Sequence, residues 1–251
     1  GAIDGVKIDL GKLFAGEFPI IDIASLGVSI EANVFGGELK AGLIGGILKI
    51  NESNQIIEPT APVGTVVKAR IFFLGVEGGF SMLGAGGFTI RFALSELGPL
   101  GVQITASIPG GILLEPNSGL SINDFVGGVE FFATLPDITN PEDLRRPEFQ
   151  SPSDVSAADW LPMVKQQVLN QYIAIQNNPN RSGFLAAFTS PMVITGGCKL
   201  FTMYASQQTF NGQVLLKIST DGKIAIIGKL NFAADNLSIS GKLYANLSKI
   251  A

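Results

Sequence analysis

The stretch that decides the fold is Val214-Leu215-Leu216-Lys217-Ile218-Ser219-Thr220-Asp221-Gly222-Lys223-Ile224-Ala225-Ile226-Ile227-Gly228-Lys229-Leu230-Asn231-Phe232. Val214, Leu216 and Ile218 alternate up to Asp221-Gly222, and Ile224, Ile226, Leu230 and Phe232 alternate away from it. Period two places successive side chains on opposite faces of a strand, and Asp-Gly between two such runs predicts a tight hairpin turn with both central residues at positive φ. A second turn, over residues 233–236, leads into Leu237, Ile239, Leu243 and Leu247. The result is a three-stranded meander whose register is expected to be pinned by burial of its apolar face.

The same pattern runs outward through the chain. Leu26, Val28, Ile30, Ala32 and Val34 oppose Gly27, Ser29, Glu31 and Asn33. Phe88, Ile90, Phe92 and Leu94 oppose Thr89, Arg91 and Ala93. Residues 5–50 give three or four strand-like runs in all, and further runs lie at 63–74, 76–82, 101–108 and 126–135, with a loop at 51–62. Seven Gly-Gly pairs sit in or beside these runs, at 36/37, 45/46, 78/79, 86/87, 110/111, 127/128 and 196/197. Their spacing does not persist as a repeat. They read as hairpin turns and bulges of a curved sheet. The expected class is therefore all-β and mainly antiparallel: a curved sheet, sandwich or barrel-like fold over residues 1–251 as one domain, with one amphipathic helix packed on it.

Two segments break the pattern. Residues 136–152 carry four prolines and read as a surface excursion. Residues 153–178 read as a helix, with Ser153 or Asp154 as its cap and Pro162 in its first turn. Trp160, Val164, Val168, Tyr172 and Ile175 recur at spacings of three and four, so this stripe is expected to be a lid on the sheet or an interface.

Composition bounds the chemistry. Histidine is absent and there is one cysteine, Cys198, which removes Ser-His-Asp, Cys-His and His-metal arrangements and any intrachain disulfide. Glu96, Glu115, Asp124 and Glu130 offer carboxylates for glycoside cleavage, but no spacing selects a pair. Asn123-Asp124 and Asp235-Asn236 offer oxygen donors without a calcium-loop motif. Gly84-Ala85-Gly86-Gly87 precedes a strand rather than a helix, unlike a dinucleotide loop. No catalytic residue, metal site or cofactor is expected, and the chain does not read as an enzyme.

Charged residues are 15% and apolar residues 46%, with a mean hydropathy of +0.37. Ordinary domains carry roughly a quarter charged residues. So much apolar surface asks to be covered, by the domain itself, by neighbouring modules of the same polypeptide, by self-association, or by an apolar ligand held under the Trp160 helix. The formal charge of −4, with no basic cluster, excludes a nucleic-acid surface. Seventeen Phe against three Tyr and one Trp suit dry packing, and the scarcity of Trp and Tyr argues against a membrane barrel with aromatic girdles. The opening Gly1-Ala2-Ile3-Asp4-Gly5 lacks a signal peptide and reads as a processed product or excised fragment.

Phe210-Asn211-Gly212-Gln213-Val214-Leu215-Leu216-Lys217 and Ile224-Ala225-Ile226-Ile227-Gly228-Lys229-Leu230-Asn231-Phe232 resemble in composition the strand-rich modules of very large bacterial surface or secreted proteins. The resemblance implies an extracellular or cell-surface setting; the reading as a non-catalytic structural or assembly module of a secreted or surface protein rests instead on its needing no special site. It carries over no functional residue.

Overall fold

A computed structural model of the chain describes residues 2–7, 22–34, 37–58, 61–62, 64–82, 86–151, 155, 157–178, 187–202, 210–232 and 237–247, and the statements below concern these. The proposed helix caps Ser153 and Asp154, the 233–236 turn, and Gly84-Ala85 lie outside them.

The strands are β1 (Ala2–Lys7), β2 (Asp22–Val34), β3 (Gly37–Ile50), β4 (Ala69–Met82), β5 (Gly86–Ser95), β6 (Gly98–Glu115), β7 (Leu120–Phe131), β8 (Met192–Thr202), β9 (Phe210–Ser219), β10 (Lys223–Phe232) and β11 (Leu237–Asn246). All are antiparallel neighbours in chain order, forming one 11-stranded sheet. The three-stranded meander is thus the end of a much longer one. No pairing between β1 and β11 occurs among the described residues, so the sheet is mostly antiparallel and not closed into a barrel.

Local chemistry explains the joints. Lys223 pairs with Ser219, and the amide of Gly222 donates to the Ser219 carbonyl at 3.0 Å. The loop therefore has three residues, Thr220 to Gly222, and only Gly222 takes a positive φ, of 92°. This corrects the expected two-residue turn: one left-handed glycine suffices when a third residue completes the hairpin. Between β5 and β6 the register shifts at Ala93/Leu94, a bulge where the extra residue, Leu100, is fully buried.

One helix, α1 (Ala157–Asn177), packs against β3, β4, β6 and β2. Pro162 lies inside it, beyond the first turn, because the helix begins earlier than its apolar stripe. Ile44, Leu48, Ile50, Ile71, Phe73 and Leu100 of the sheet and Trp160, Val164, Val168 and Tyr172 of the helix form the main core.

The excursion at 136–152 is also core-forming, contrary to its reading as a surface feature. Leu135 and Phe149 are buried with Val193 and Ala225. The Lys217 amine donates to the Glu148 carbonyl at 2.7 Å, the Lys223 amine to the Leu135 carbonyl at 2.8 Å. Tyr244 Oη and Asn246 Nδ2 both donate to Asp137 Oδ1, at 3.2 and 3.0 Å. Asn140 caps the short 3₁₀ turn Pro141–Arg145 through a reciprocal box with Asp143. Prolines remove donors and fix φ, so the excursion lies on the sheet without competing for ladder hydrogen bonds.

Candidate functional site

Cross-strand partners share a face, so the register sorts the sheet into two surfaces. The helix and the excursion lie on one of them. There Ile44, Ile71, Phe73, Val193, Leu215 and Ala225 are buried. The other surface carries the alternating apolar set: Val76 pairs with Phe92, Phe92 with Val102, Val102 with Val129, Val129 with Ile194, Ile194 with Ile218, and Ile218 with Ile224. These residues form an unbroken apolar row across seven strands.

The alternation thus has the opposite sense from a soluble half-buried sheet. Phe88 is 51% exposed, Ile104 46% and Leu243 59%, and Val214, Leu216 and Ile218 are exposed beside buried Leu215 and Lys217. This corrects the expectation that the apolar alternation marks the buried side. Among the described residues there is no second sheet to cover it; α1 and the excursion went to the opposite face, and the cover seen is local, Ala187 and Phe188 over Phe131 at the end of β7.

Charge follows the same division. Glu38, Lys40, Glu77, Arg91, Asp124, Glu130, Lys199, Lys217, Lys223, Lys229 and Lys242 all lie on the face that carries the helix. From β3 to β11 the only charges that the apolar face carries within the described strands stand at strand ends. Lys49 and Arg70, cross-strand partners one residue from the ends of β3 and β4, stand at its rim, and Glu115 is the last residue of β6.

The charged face is concave. A trough of about 800 Å³ runs across seven strands, β3 to β9, beyond the end of the helix. Its polar lining includes Lys40, Thr89, Thr105, Asp124, Lys199 and Gln213. A depression spanning seven neighbouring strands requires the sheet to curve towards that side, so the apolar face is convex. Within the concave side Arg91 pairs with Glu77, donates to the Val155 carbonyl at 2.8 Å and lies 5.4 Å from the Trp160 ring centre. Lys199 meets Asp124 at 3.1 Å.

Trp160, Val164, Val168 and Tyr172 are all brought together, against β3 and β4, and are buried. The remaining space beneath the helix, bordered by Arg91, Ala93, Gly101, Gln103, Glu130, Trp160, Met163 and Gln167, is about 20 Å³, room for a water molecule and not for an acyl chain. The helix is a packed cover rather than the roof of a cavity.

The candidate carboxylates are not gathered. Glu115 accepts from the amides of Asn117 and Ser118 in its own turn, Asp124 pairs with Lys199, and Glu130 accepts from Gln103 Nε2 at 2.5 Å. No group of three or more Asp, Glu or Cys side chains suited to a metal occurs among the described residues. Asp235 and Asn236 lie outside them. Cys198 is half-buried on the apolar face, opposite Phe125 and Val214. No helix among the described residues is long and apolar enough to cross a membrane, which leaves strands unaddressed.

Sequence reasoning missed Arg91, because one cation in an alternating run gives no sign that a helix will lie on it. It missed Lys217 for the same reason. Compared with protein-family models, curated proteins and solved structures, the chain matches none.

Proposed function

We propose that this chain is a non-catalytic assembly module whose convex apolar face is covered in its working state, within a secreted or cell-surface assembly. The observation that carries the reading is the segregation of charge: the sheet's side chains place their ions on the concave side and leave Val, Ile, Leu and Phe on the convex side, many of them about 40–60% exposed and others, such as Val102 and Val129, half-buried. Monomeric proteins rarely show contiguous apolar patches beyond a few hundred Å². Nine strands, β3 to β11, spaced about 4.8 Å apart, form a face about 40 Å wide. That exceeds the patch of a standard protein interface.

The alternative of an acyl ligand held under the Trp160 helix draws no support from the packing there, since the helix fills that space and the open trough, of mixed lining, carries the charged Lys40, Asp124 and Lys199. The bare convex face would instead take an apolar neighbour along its whole length. The test is sedimentation of the full chain in detergent-free buffer, with a hydrophobic dye as reporter. Ordered oligomers, co-purifying material or strong dye binding by the folded protein are expected. A monodisperse, dye-silent monomer with native near-ultraviolet dichroism refutes the reading.

A further inference from the structure

We infer that the cover on the convex face is lipid hydrocarbon, so that the sheet lies in a membrane as part of a β-wall with its wet, charged side turned inward. This rests on the assembly reading above and names the partner of that face.

Shape is the first argument. A convex surface meets another convex surface only along a line, so two copies pressed face to face would leave most of the apolar rows in water. A fluid of acyl chains wets all of it. The second argument is length. On β4 the uncharged outward set runs from Phe72 to Met82 and on β5 from Gly86 to Leu94. Each set spans about ten residues, which at roughly 3.4 Å per residue and a tilt of about 45° gives about 24 Å, the height of a hydrocarbon band. Lys49 and Arg70 stand where that band ends, placed for their long stems to reach headgroups.

The third argument is the pattern itself. Membrane strands alternate apolar outward with polar inward, and the inner side of such a wall borders water or a plugging helix. Here the inner side holds an open trough that carries Lys40, Asp124 and Lys199, beside a packed helix. Hydrocarbon cannot satisfy a free sheet edge, so the seated sheet carries its edges paired with neighbouring strands. β11 suits such pairing: it has ten residues, no proline, and one charge, Lys242, on the concave side. Phe72, Phe88 and Phe92 add apolar bulk to the outer face.

The experiment adds the full chain to phosphatidylcholine vesicles with or without dibrominated acyl chains, which quench tryptophan on contact. Tryptophan is introduced outward at Phe92→Trp or Ile226→Trp, or in the trough at Thr105→Trp, and read over the Trp160 background. The expected result is flotation with the vesicles and loss of emission at positions 92 and 226, with emission at 105 retained. Phe92→Lys is expected to lower vesicle partitioning at least roughly thirtyfold, while Thr105→Lys leaves it unchanged. Near-ultraviolet dichroism checks that each variant folds, and the conservative Trp variants decide the matter where Phe92→Lys does not. A defined oligomer that ignores vesicles and shows equal quenching at all three positions overturns lipid and leaves the assembly reading standing. A dye-silent monomer that ignores vesicles overturns both.

Discussion

Removing the Trp160 side chain tests whether the helix is part of the fold or a detachable surface. Trp160 is 6% exposed and packs in the main core with Ile44, Phe73 and Val164. A Cβ placed on Gly75 would lie 2.8 Å from its ring and 2.6 Å from Ile44 Cγ1, so β4 is glycine there because the indole occupies the space. Truncation to alanine costs about 3–5 kcal/mol from lost transfer energy and the cavity left behind. Loss of the Arg91 cation over the ring adds about 0.5–2 kcal/mol. Against a typical total of about 5–15 kcal/mol, Trp160→Ala should remove at least about a fifth of the stability and lower the urea midpoint in proportion. Far-ultraviolet dichroism is the probe, because the variant has no tryptophan left. Gly75→Ala alone should cost about 1–3 kcal/mol by overpacking, and less in the Trp160→Ala background, where half of the clash is gone. A Trp160→Ala protein within about 1 kcal/mol of the parent, well below the cavity cost, but with altered association, would refute the core assignment and make α1 an interface.

Two further outcomes follow from the excursion. Lys217→Ala strands the Glu148 carbonyl it serves and should destabilise by about 1–3 kcal/mol, more than the same change at exposed Lys229, as thermal or urea unfolding would show. Asp143 accepts from the backbone amides and hydroxyl of Thr139 and from the amide of Asn140, with Arg146 beside it, and these hold its carboxyl below the usual range. A carboxylate with a depressed folded-state pKa contributes stability above its unfolded pKa and loses it as pH falls through the folded value. Asp143→Asn should therefore lower stability at pH 7 and flatten the acid side of the stability profile, and an unchanged profile would remove Asp143 from the account.

The architecture was legible because period two is a strong signal: β9, β10 and β11 follow from Val214, Ile224 and Ile239 and their neighbours, and the Trp160 stripe follows from its spacing. The longer strands were not. β4 runs unbroken from Ala69 to Met82 across Gly75, and β6 runs through Gly110 and Gly111, at φ of 74° and 68°, to Glu115. Glycine there accommodates close packing and bulges rather than ending a strand, and the bare sequence does not tell these cases apart. The excursion was misjudged because its anchors, Leu135 and Phe149, flank prolines and polar residues and form no periodic pattern. They are recognisable only by what they land on.

Which side of the sheet the helix would choose was the least legible feature, and its cause is steric. Alternation identifies an apolar side but does not say that it is the side left open to packing from within the chain. A helix lying on a concave surface needs a floor of small residues, and the concave side supplies one: Gly75, Ala93 and Gly101 lie under or beside Trp160, at cross-strand positions to one another. The convex side offers Val76, Phe92 and Val102 at the adjacent row, bulky, branched or aromatic side chains that stand up from a surface curving away. The small residues admit the indole and Val164, whereas the large ones would hold a helix off along most of its length. Curvature towards the helix and small residues beneath it therefore select the same face, and the apolar alternation is left for a cover that does not need to be rigid.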